Sequence, residues 1–109
     1  MSGLLARGPD GGPGDFAVDV LAVVEQIPAG RVLSYGDVAE LVGRGGPRAV
    51  GRVMSVYGSG VPWWRVLRVD GSFAPEVFAR AVRHHRDEGT PMRPGGERVD
   101  MRLSRWDGG

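Results

Sequence analysis

Hydrophobic residues recur at helical spacing near the start of this 109-residue chain. Asp15 is a predicted N-cap, and apolar side chains follow at intervals of three and four residues until Pro28 and Gly30 end the pattern. The apolar positions of this first helix are Phe16, Val20, Val23, Val24 and Ile27. The segment before it, residues 1–14, is rich in glycine and proline, and we expect it to be a disordered leader to a single domain over residues 15–109.

Two further amphipathic segments are joined by a glycine-rich break. After a short extended piece at residues 32–33, Ser34 is a suitable cap for a helix through Val42, and the break covers residues 43–46. The face predicted to be buried consists of Val38, Ala39, Leu41 and Val42. Pro47 suits the first position of the next helix, which continues to about residue 57. Two helices joined by a glycine turn predict a helix-turn-helix.

The second half of the chain predicts a small β element and another helix. Residues 57–60 read as a loop, and residues 64–69 have the alternating character of a strand that turns at Asp70-Gly71, which suggests a hairpin or wing. A helix follows from Pro75 to about residue 88, with Gly89 as its stop, and the tail at residues 99–106 is expected to pack back on the domain. The predicted fold is therefore a mainly α, winged helix-turn-helix-like single domain with a small β hairpin.

Composition excludes several kinds of chemistry. The chain has no cysteine, so disulfides, thiolate metal sites and thiol nucleophiles are excluded. No apolar stretch approaches the ~20 residues that span a bilayer, and there is no secretion signal, so we expect a cytoplasmic location. The formal net charge is only +1, but the arginines are concentrated in the middle of the chain. Residues 31–75 contain six arginines and three acids, which favours contact with an anion such as DNA.

The predicted second helix of the helix-turn-helix has a cationic face. Arg48 and Arg52 are four residues apart and share that face, with Ser55 close by. Gly51 lies inside the same helix at a cost of ~1 kcal/mol relative to alanine, which is reasonable if a DNA backbone must approach closely there.

Tryptophan occupies two adjacent positions of the loop that follows. Neighbouring residues in an extended segment point to opposite sides, so at most one of Trp63 and Trp64 should lie in the core. An exposed indole that lines a cavity can stack on a purine at ~1–3 kcal/mol per base. The competing interpretation is that both are core aromatics.

Three segments, in this order and spacing, resemble the DNA-binding domain of the O6-alkylguanine-DNA alkyltransferases. They are Ser34-Tyr35-Gly36 with its flanks, Pro47-Arg48-Ala49-Val50-Gly51, and Pro62-Trp63-Trp64-Arg65-Val66. The active-site motif of that family reads Pro-Cys-His-Arg-Val. Trp63 stands where the reactive cysteine belongs, which is the pattern of the alkyltransferase-like proteins, and these bind alkylated guanine without repairing it.

The resemblance implies a role for each matching residue. Tyr35 would press on the phosphate of the target nucleotide, Arg48 would fill the gap left by the flipped base, and Arg65 would be an inward-facing structural residue. The small Ala49 and Gly51 would let the helix enter the minor groove, and Arg52 would contact the DNA. Pro62, Trp63 and Trp64 would form the lesion pocket. The alternative for Tyr35 is a buried tyrosine whose hydroxyl caps another group. The alternative for Arg48 is an ordinary phosphate-contacting arginine.

The implied partner is double-stranded DNA containing alkylated guanine, with nucleotide excision repair proteins as further partners. No cofactor, metal or membrane is implied, and without a dimerisation helix we expect a monomer. The chain departs from the family at Trp64, where the family has histidine, and at residues 72–76, which lack a basic residue found in some relatives.

Two other functions compete with this hypothesis. The first is a winged-helix, sequence-specific transcription regulator, which would need base-edge contacts and usually a dimer interface. The second is a lesion hydrolase that uses His84 or His85, although both lie on a different element from the loop and lack an evident carboxylate partner.

Overall fold

The computed structural model describes residues 14–109, and these form one mainly helical domain with a small sheet. The leader predicted at residues 1–14 lies outside the described part of the chain except for Gly14. The helices are α1 (Asp15–Gln26), α2 (Tyr35–Val42), α3 (Pro47–Tyr57), α4 (Phe78–Glu88) and α5 (Met101–Ser104). The strands are β1 (Leu33–Ser34) and β2 (Val66–Leu67), and short 3₁₀ turns cover Gly58–Gly60, Trp63–Arg65 and Pro75–Val77.

The first helix begins one residue earlier than predicted. Gly14 is its N-cap and makes no side-chain cap bond, so the assignment of Asp15 as the cap is wrong. Asp15 is instead the first helical residue, where its negative charge favours the positive end of the helix dipole. The predicted core side of α1 is largely correct, because Val20, Val24 and Ile27 are buried.

The N-terminus of α2 is fixed by a capping box. The backbone N–H of Asp37 donates to Ser34 Oγ at 3.1 Å, and the backbone N–H of Ser34 donates to Asp37 Oδ2 at 2.9 Å. The helix ends at Gly43, whose φ of 91° is strained for any residue with a side chain. The predicted buried face is only partly correct, since Val38 and Ala39 are buried whereas Leu41 is 47% exposed.

The third helix follows the sequence prediction closely. Pro47 occupies its first turn, where the missing N–H has no intrahelical partner to lose, and the helix runs to Tyr57. Val50 and Val53 are buried against α1 and α2. These three helices and the β strands enclose the larger of two apolar clusters.

The predicted small β element exists, but it is not a hairpin. In the described chain β1 and β2 pair in parallel, with Leu33 opposite Val66 and Ser34 opposite Leu67. The predicted strand at residues 64–69 is reduced to two residues, because Trp63–Arg65 forms a 3₁₀ turn. The two remaining residues pair with β1.

The Asp70-Gly71 turn serves to hold the C-terminal tail. Gly71 accepts a hydrogen bond from the backbone N–H of Val99 at 3.0 Å. A Cβ atom at Gly71 would lie 2.2 Å from the carbonyl oxygen of Val99, and the φ of Gly71 is 85°, so only glycine fits. The tail returns to the domain as predicted, where Trp106 donates its backbone N–H to Val32 at 2.9 Å.

The second apolar cluster lies under α4 and the tail. It consists of Val32, Leu67, Phe73, Ala81 and Val99, and both tryptophans of the 3₁₀ turn pack against its edge. Among residues 14–109, no helix is long and apolar enough to cross a membrane.

Candidate nucleic-acid interface

A cavity of about 430 Å³ opens where the start of α2, the middle of α3 and the tryptophan turn meet the loop before α4. Cavities of ~300–1,000 Å³ hold small organic groups in proteins. Its walls combine aromatic side chains with a few polar ones, and Val66 and Leu67 of β2 also contribute. The structure therefore brings four of the predicted site residues to one concave surface: Tyr35, Gly51, Trp63 and Trp64.

Both tryptophans line this cavity, and neither belongs fully to the core. Their rings meet edge to face, with centroids 5.6 Å apart and planes at 89°. The expectation that adjacent residues would point to opposite sides fails because the segment is a 3₁₀ turn and not an extended strand. The guanidinium carbon of Arg80 lies 5.3 Å from the centroid of Trp63, close enough for a cation–π interaction. Trp63 thus presents a partly exposed indole beside an exposed cation.

Tyr35 is the first residue of α2, and it is half-buried at the cavity wall. Burial raises the pKa of the Tyr35 hydroxyl, and the nearby Arg68 guanidinium opposes that effect without cancelling it. The hydroxyl is therefore protonated at neutral pH. A protonated hydroxyl can donate a hydrogen bond to a phosphate oxygen.

The arginines of α3 lie on its solvent side. Arg48 and Arg52 are both exposed, whereas Val50 and Val53, which are rotated away from them, are buried. Neither arginine lines the cavity. Gly51 does line it, so the same helix contributes a cationic outer face and a cavity wall with no side chain.

Ala49 and Pro62 complete the set of predicted site residues. Both are partly exposed, and neither lines the cavity. Pro62 directly precedes the tryptophan turn, and its carbonyl accepts the backbone N–H of Arg65 at 3.0 Å. Ala49 lies in the first half of α3, beside the exposed Arg48.

Arg65 points inward and is held by two acceptors. Its Nη2 atom lies 2.6 Å from Oε2 of Glu88 at the end of α4, and its Nη1 atom donates to the carbonyl of Ile27 at 2.8 Å. Both partners of this ion pair are largely buried, with 16% and 12% of their side chains exposed. Burial alone would raise the pKa of Glu88, but hydrogen bonds from Arg65, Gly30 and Trp64 outweigh it and lower that pKa.

The two histidines of α4 touch the tryptophan turn, although they lie on a different element. The ring of His84 stacks on Trp64 at 3.6 Å between centroids, with planes 5° apart. His85 is fully buried, and its Nε2 lies 2.6 Å from the carbonyl oxygen of Trp64. A carbonyl only accepts, so Nε2 carries the proton, and Nδ1 accepts from the Thr90 hydroxyl at 2.8 Å.

Burial also lowers the pKa of His85, which favours this neutral ring. With both ring nitrogens occupied, His85 has no free atom to act as a general base. Within residues 14–109 no group of three or more histidine, cysteine, aspartate or glutamate side chains is placed to hold a metal ion.

Sequence reasoning missed Glu88 and Arg80 as neighbours of the tryptophans. Glu88 accepts from the Trp64 indole Nε1 at 2.7 Å across 24 residues of sequence. Contacts of this kind depend on how α4 packs, and no local pattern predicts them. Arg80 lies about two turns before Glu88 on α4, and its exposed position resembled that of any solvated arginine.

Comparison with known proteins gives one family match. Residues 15–89 match the family model of the 6-O-methylguanine DNA methyltransferase, DNA-binding domain. A protein of Escherichia coli (strain K12) called "DNA base-flipping protein" is 35% identical over 99 residues, which cover 84% of this chain and 74% of that protein. A protein of the same name from Vibrio parahaemolyticus serotype O3:K6 (strain AQ3810) is 39% identical over 62 residues, 54% of this chain. That alignment spans 62% of the Vibrio protein, less than two thirds of its length.

Solved structures extend the comparison to complexes with DNA. The crystal structure of S. pombe Atl1 with damaged DNA containing O6-carboxymethylguanine superimposes with a TM-score of 0.73 at 27% sequence identity. A crystal structure of S. pombe ATL in complex with DNA gives a TM-score of 0.71 at the same identity. Each match covers 85% of this chain and 95% of the other.

Proposed function

Because this chain belongs to the family of the 6-O-methylguanine DNA methyltransferase DNA-binding domain, as an alkyltransferase-like protein, we propose that it is a non-enzymatic sensor of O6-alkylguanine in duplex DNA. It binds the duplex, turns the damaged base out of the helix and holds it in the cavity beside Trp63. The cytoplasm is the proposed setting.

One observation carries this proposal: the tryptophan-lined cavity lies directly beside the cationic face of α3. Gly51 belongs to the cavity wall, while Arg48 and Arg52 are exposed on the same helix. A protein that docks α3 on DNA therefore brings the cavity within reach of one nucleotide. Extruding a base costs a few kcal/mol, and less where an alkyl group has already weakened the pair.

Each side chain has a distinct part in the proposed complex. The Tyr35 hydroxyl donates to the phosphate of the extruded nucleotide, and Trp63 contributes ~1–3 kcal/mol by stacking on its base. Arg48 enters the duplex and replaces the lost stacking, while Arg52 contacts the phosphate backbone. Ala49 and Gly51 allow the backbone of α3 to approach the minor groove.

The proposed outcome is recognition without repair. The chain has no cysteine to accept an alkyl group, Trp63 stands at the position of the family's cysteine, and Trp64 stands at that of the histidine that activates it. The alkyl group therefore stays on the base. By analogy with the family, we propose that the bound complex marks the lesion for nucleotide excision repair.

A fluorescence assay tests the base-flipping step. A duplex carries O6-methylguanine opposite pyrrolocytosine, whose emission rises when its partner base leaves the stack. We expect saturating protein to raise that emission, and to leave a matched duplex with plain guanine much less affected. Unchanged emission from the methylated duplex, under conditions where anisotropy shows that it is fully bound, would rule out base extrusion.

A further inference from the structure

The carboxylate of Glu88 gathers an unusual number of donors at the back of the tryptophan turn. It accepts from the Trp64 indole Nε1 at 2.7 Å, from Arg65 Nη2 at 2.6 Å and from the backbone N–H of Gly30 at 2.9 Å. The Nε atom of Arg65 lies 3.2 Å from both carboxylate oxygens. These contacts join the end of α4, the tryptophan turn and the segment after α1.

Helix stability does not account for an acid at this position. Glu88 is the last residue of α4, where the helix dipole disfavours negative charge. Its side chain is only 12% exposed, so its charge is also poorly hydrated. The compensation comes from the donors of the neighbouring segments, and Trp64 is the one donor among them that also lines the cavity.

Helix α4 holds Trp64 at three separate points. Glu88 binds its indole N–H, His84 stacks on its ring, and His85 Nε2 bonds its backbone carbonyl. Trp64 in turn meets the ring of Trp63 edge to face at 5.6 Å, and His84 meets the same ring edge to face at 5.8 Å. These contacts connect the tryptophan pair in the cavity to α4, and Glu88 makes the hydrogen bond to the Trp64 indole.

We infer that Glu88 is the positioning residue of the lesion pocket: its hydrogen bond to the Trp64 indole fixes the tryptophan pair in the orientation that receives an extruded base. This inference rests on the proposed function. Glu88 touches neither the base nor the DNA in this account, and it acts only through Trp64. Its loss should therefore weaken binding to the lesion much more than binding to plain duplex.

The test compares dissociation constants for a duplex with one O6-methylguanine and for its unmodified twin. The variants are Trp64→Phe, which keeps an aromatic ring but removes the indole donor, Glu88→Ala, and Glu88→Gln, which keeps a neutral acceptor. Asp19→Asn is the matched control, because it breaks the exposed Asp19–Arg44 ion pair and changes the net charge by the same amount as Glu88→Gln. Melting curves accompany each variant.

A hydrogen bond to a charged group is worth ~1.5–3 kcal/mol, so we expect Trp64→Phe and Glu88→Ala to lower the lesion-to-plain affinity ratio by about ten-fold or more. Glu88→Gln should retain part of the parent's lesion-to-plain affinity ratio, and Asp19→Asn should leave that ratio unchanged. In ¹H–¹⁵N spectra the Trp64 indole signal, assigned by its disappearance in Trp64→Phe, should exchange faster with solvent in Glu88→Ala.

An unchanged ratio in Trp64→Phe would overturn the inference, and that variant decides the matter even if Glu88→Ala does not fold. Equal weakening on both duplexes is one form of that result, and it would assign the tryptophan pair to general DNA binding. A parent protein that shows no preference for the lesion contradicts the proposed function itself, which separates the two failures.

Discussion

Replacing Gly51 by alanine should stabilise the protein and weaken its DNA binding at the same time. Gly51 lies inside α3, and nothing lies within 4 Å of the position that a Cβ atom would take. Alanine is favoured over glycine in a helix interior by ~1 kcal/mol, which corresponds to about 4–8 °C in Tm for a domain of this size. The unbound protein therefore gives no reason for glycine at this position.

The reason must come from the bound state. If a DNA backbone packs on this part of α3, the added methyl group displaces it, and overpacking of that size costs ~1–3 kcal/mol. The dissociation constant for duplex DNA should then rise by about 5- to 150-fold. Lesion and plain duplexes should both be affected, because the close approach precedes base extrusion.

Melting curves and fluorescence anisotropy on the same preparations measure both effects. Val18→Ala is the control, since it places alanine at an exposed position of α1, away from the cavity, and should leave DNA affinity unchanged. A higher Tm for Gly51→Ala with unaltered DNA affinity would refute the close approach. A lower Tm would show that the open space beside Gly51 is needed within the protein itself.

Three further predictions follow from the site and its surroundings. Arg48→Ala should weaken binding to the O6-methylguanine duplex by about five-fold or more beyond its effect on plain duplex, whereas Arg52→Ala should weaken binding to both duplexes equally. Anisotropy on the two duplexes measures these effects, and equal losses for Arg48→Ala would contradict the insertion of Arg48 into the duplex. Tyr35→Phe removes only a hydroxyl and should weaken lesion binding several-fold, by the ~1 kcal/mol of one hydrogen bond; an unchanged dissociation constant would exclude the phosphate contact. Burial lowers the pKa of His85 from its ordinary value of 6.5, so the unfolded chain binds a proton that the folded chain does not, and the free energy of unfolding should fall as the pH drops below about 6.5. Denaturant titrations between about pH 6.5 and pH 5, above the range in which carboxylates protonate, should show this decline in the parent and not in His85→Gln.

Local signals in the sequence predict much of the helical frame. The capping pair Ser34 and Asp37, the glycine at residue 43 and the proline at residue 47 each act within one turn of chain, so the helix-turn-helix boundaries can be predicted from them. The position of Asp15 could not be predicted to one residue, because an acid is favoured both at the cap and in the first turn.

The sheet and the back of the pocket could not be predicted in this way. Each strand has only two residues, and the parallel pairing of Leu33 with Val66 joins positions that are brought together by packing alone. The alternating pattern at residues 64–69 resembled a strand, but Trp63–Arg65 forms a 3₁₀ turn that is hydrogen-bonded to Glu88 and His85 of α4. Motif matching predicted that Trp63 and Trp64 meet at the cavity, but Pro62 does not line it, and the hydrogen bond from Trp64 to Glu88 joins residues of which only one belongs to a motif.

The most direct test of lesion sensing is the affinity of the purified protein for two duplexes that differ by one O6-methyl group. Anisotropy at fixed salt measures this affinity, and mass spectrometry of the recovered DNA follows. A lesion sensor should bind the methylated duplex more tightly and release it with its methyl group retained. Equal affinity for the two duplexes would contradict lesion sensing and favour a generic or sequence-specific DNA-binding domain. Loss of the methyl group would contradict the proposal that recognition occurs without chemistry.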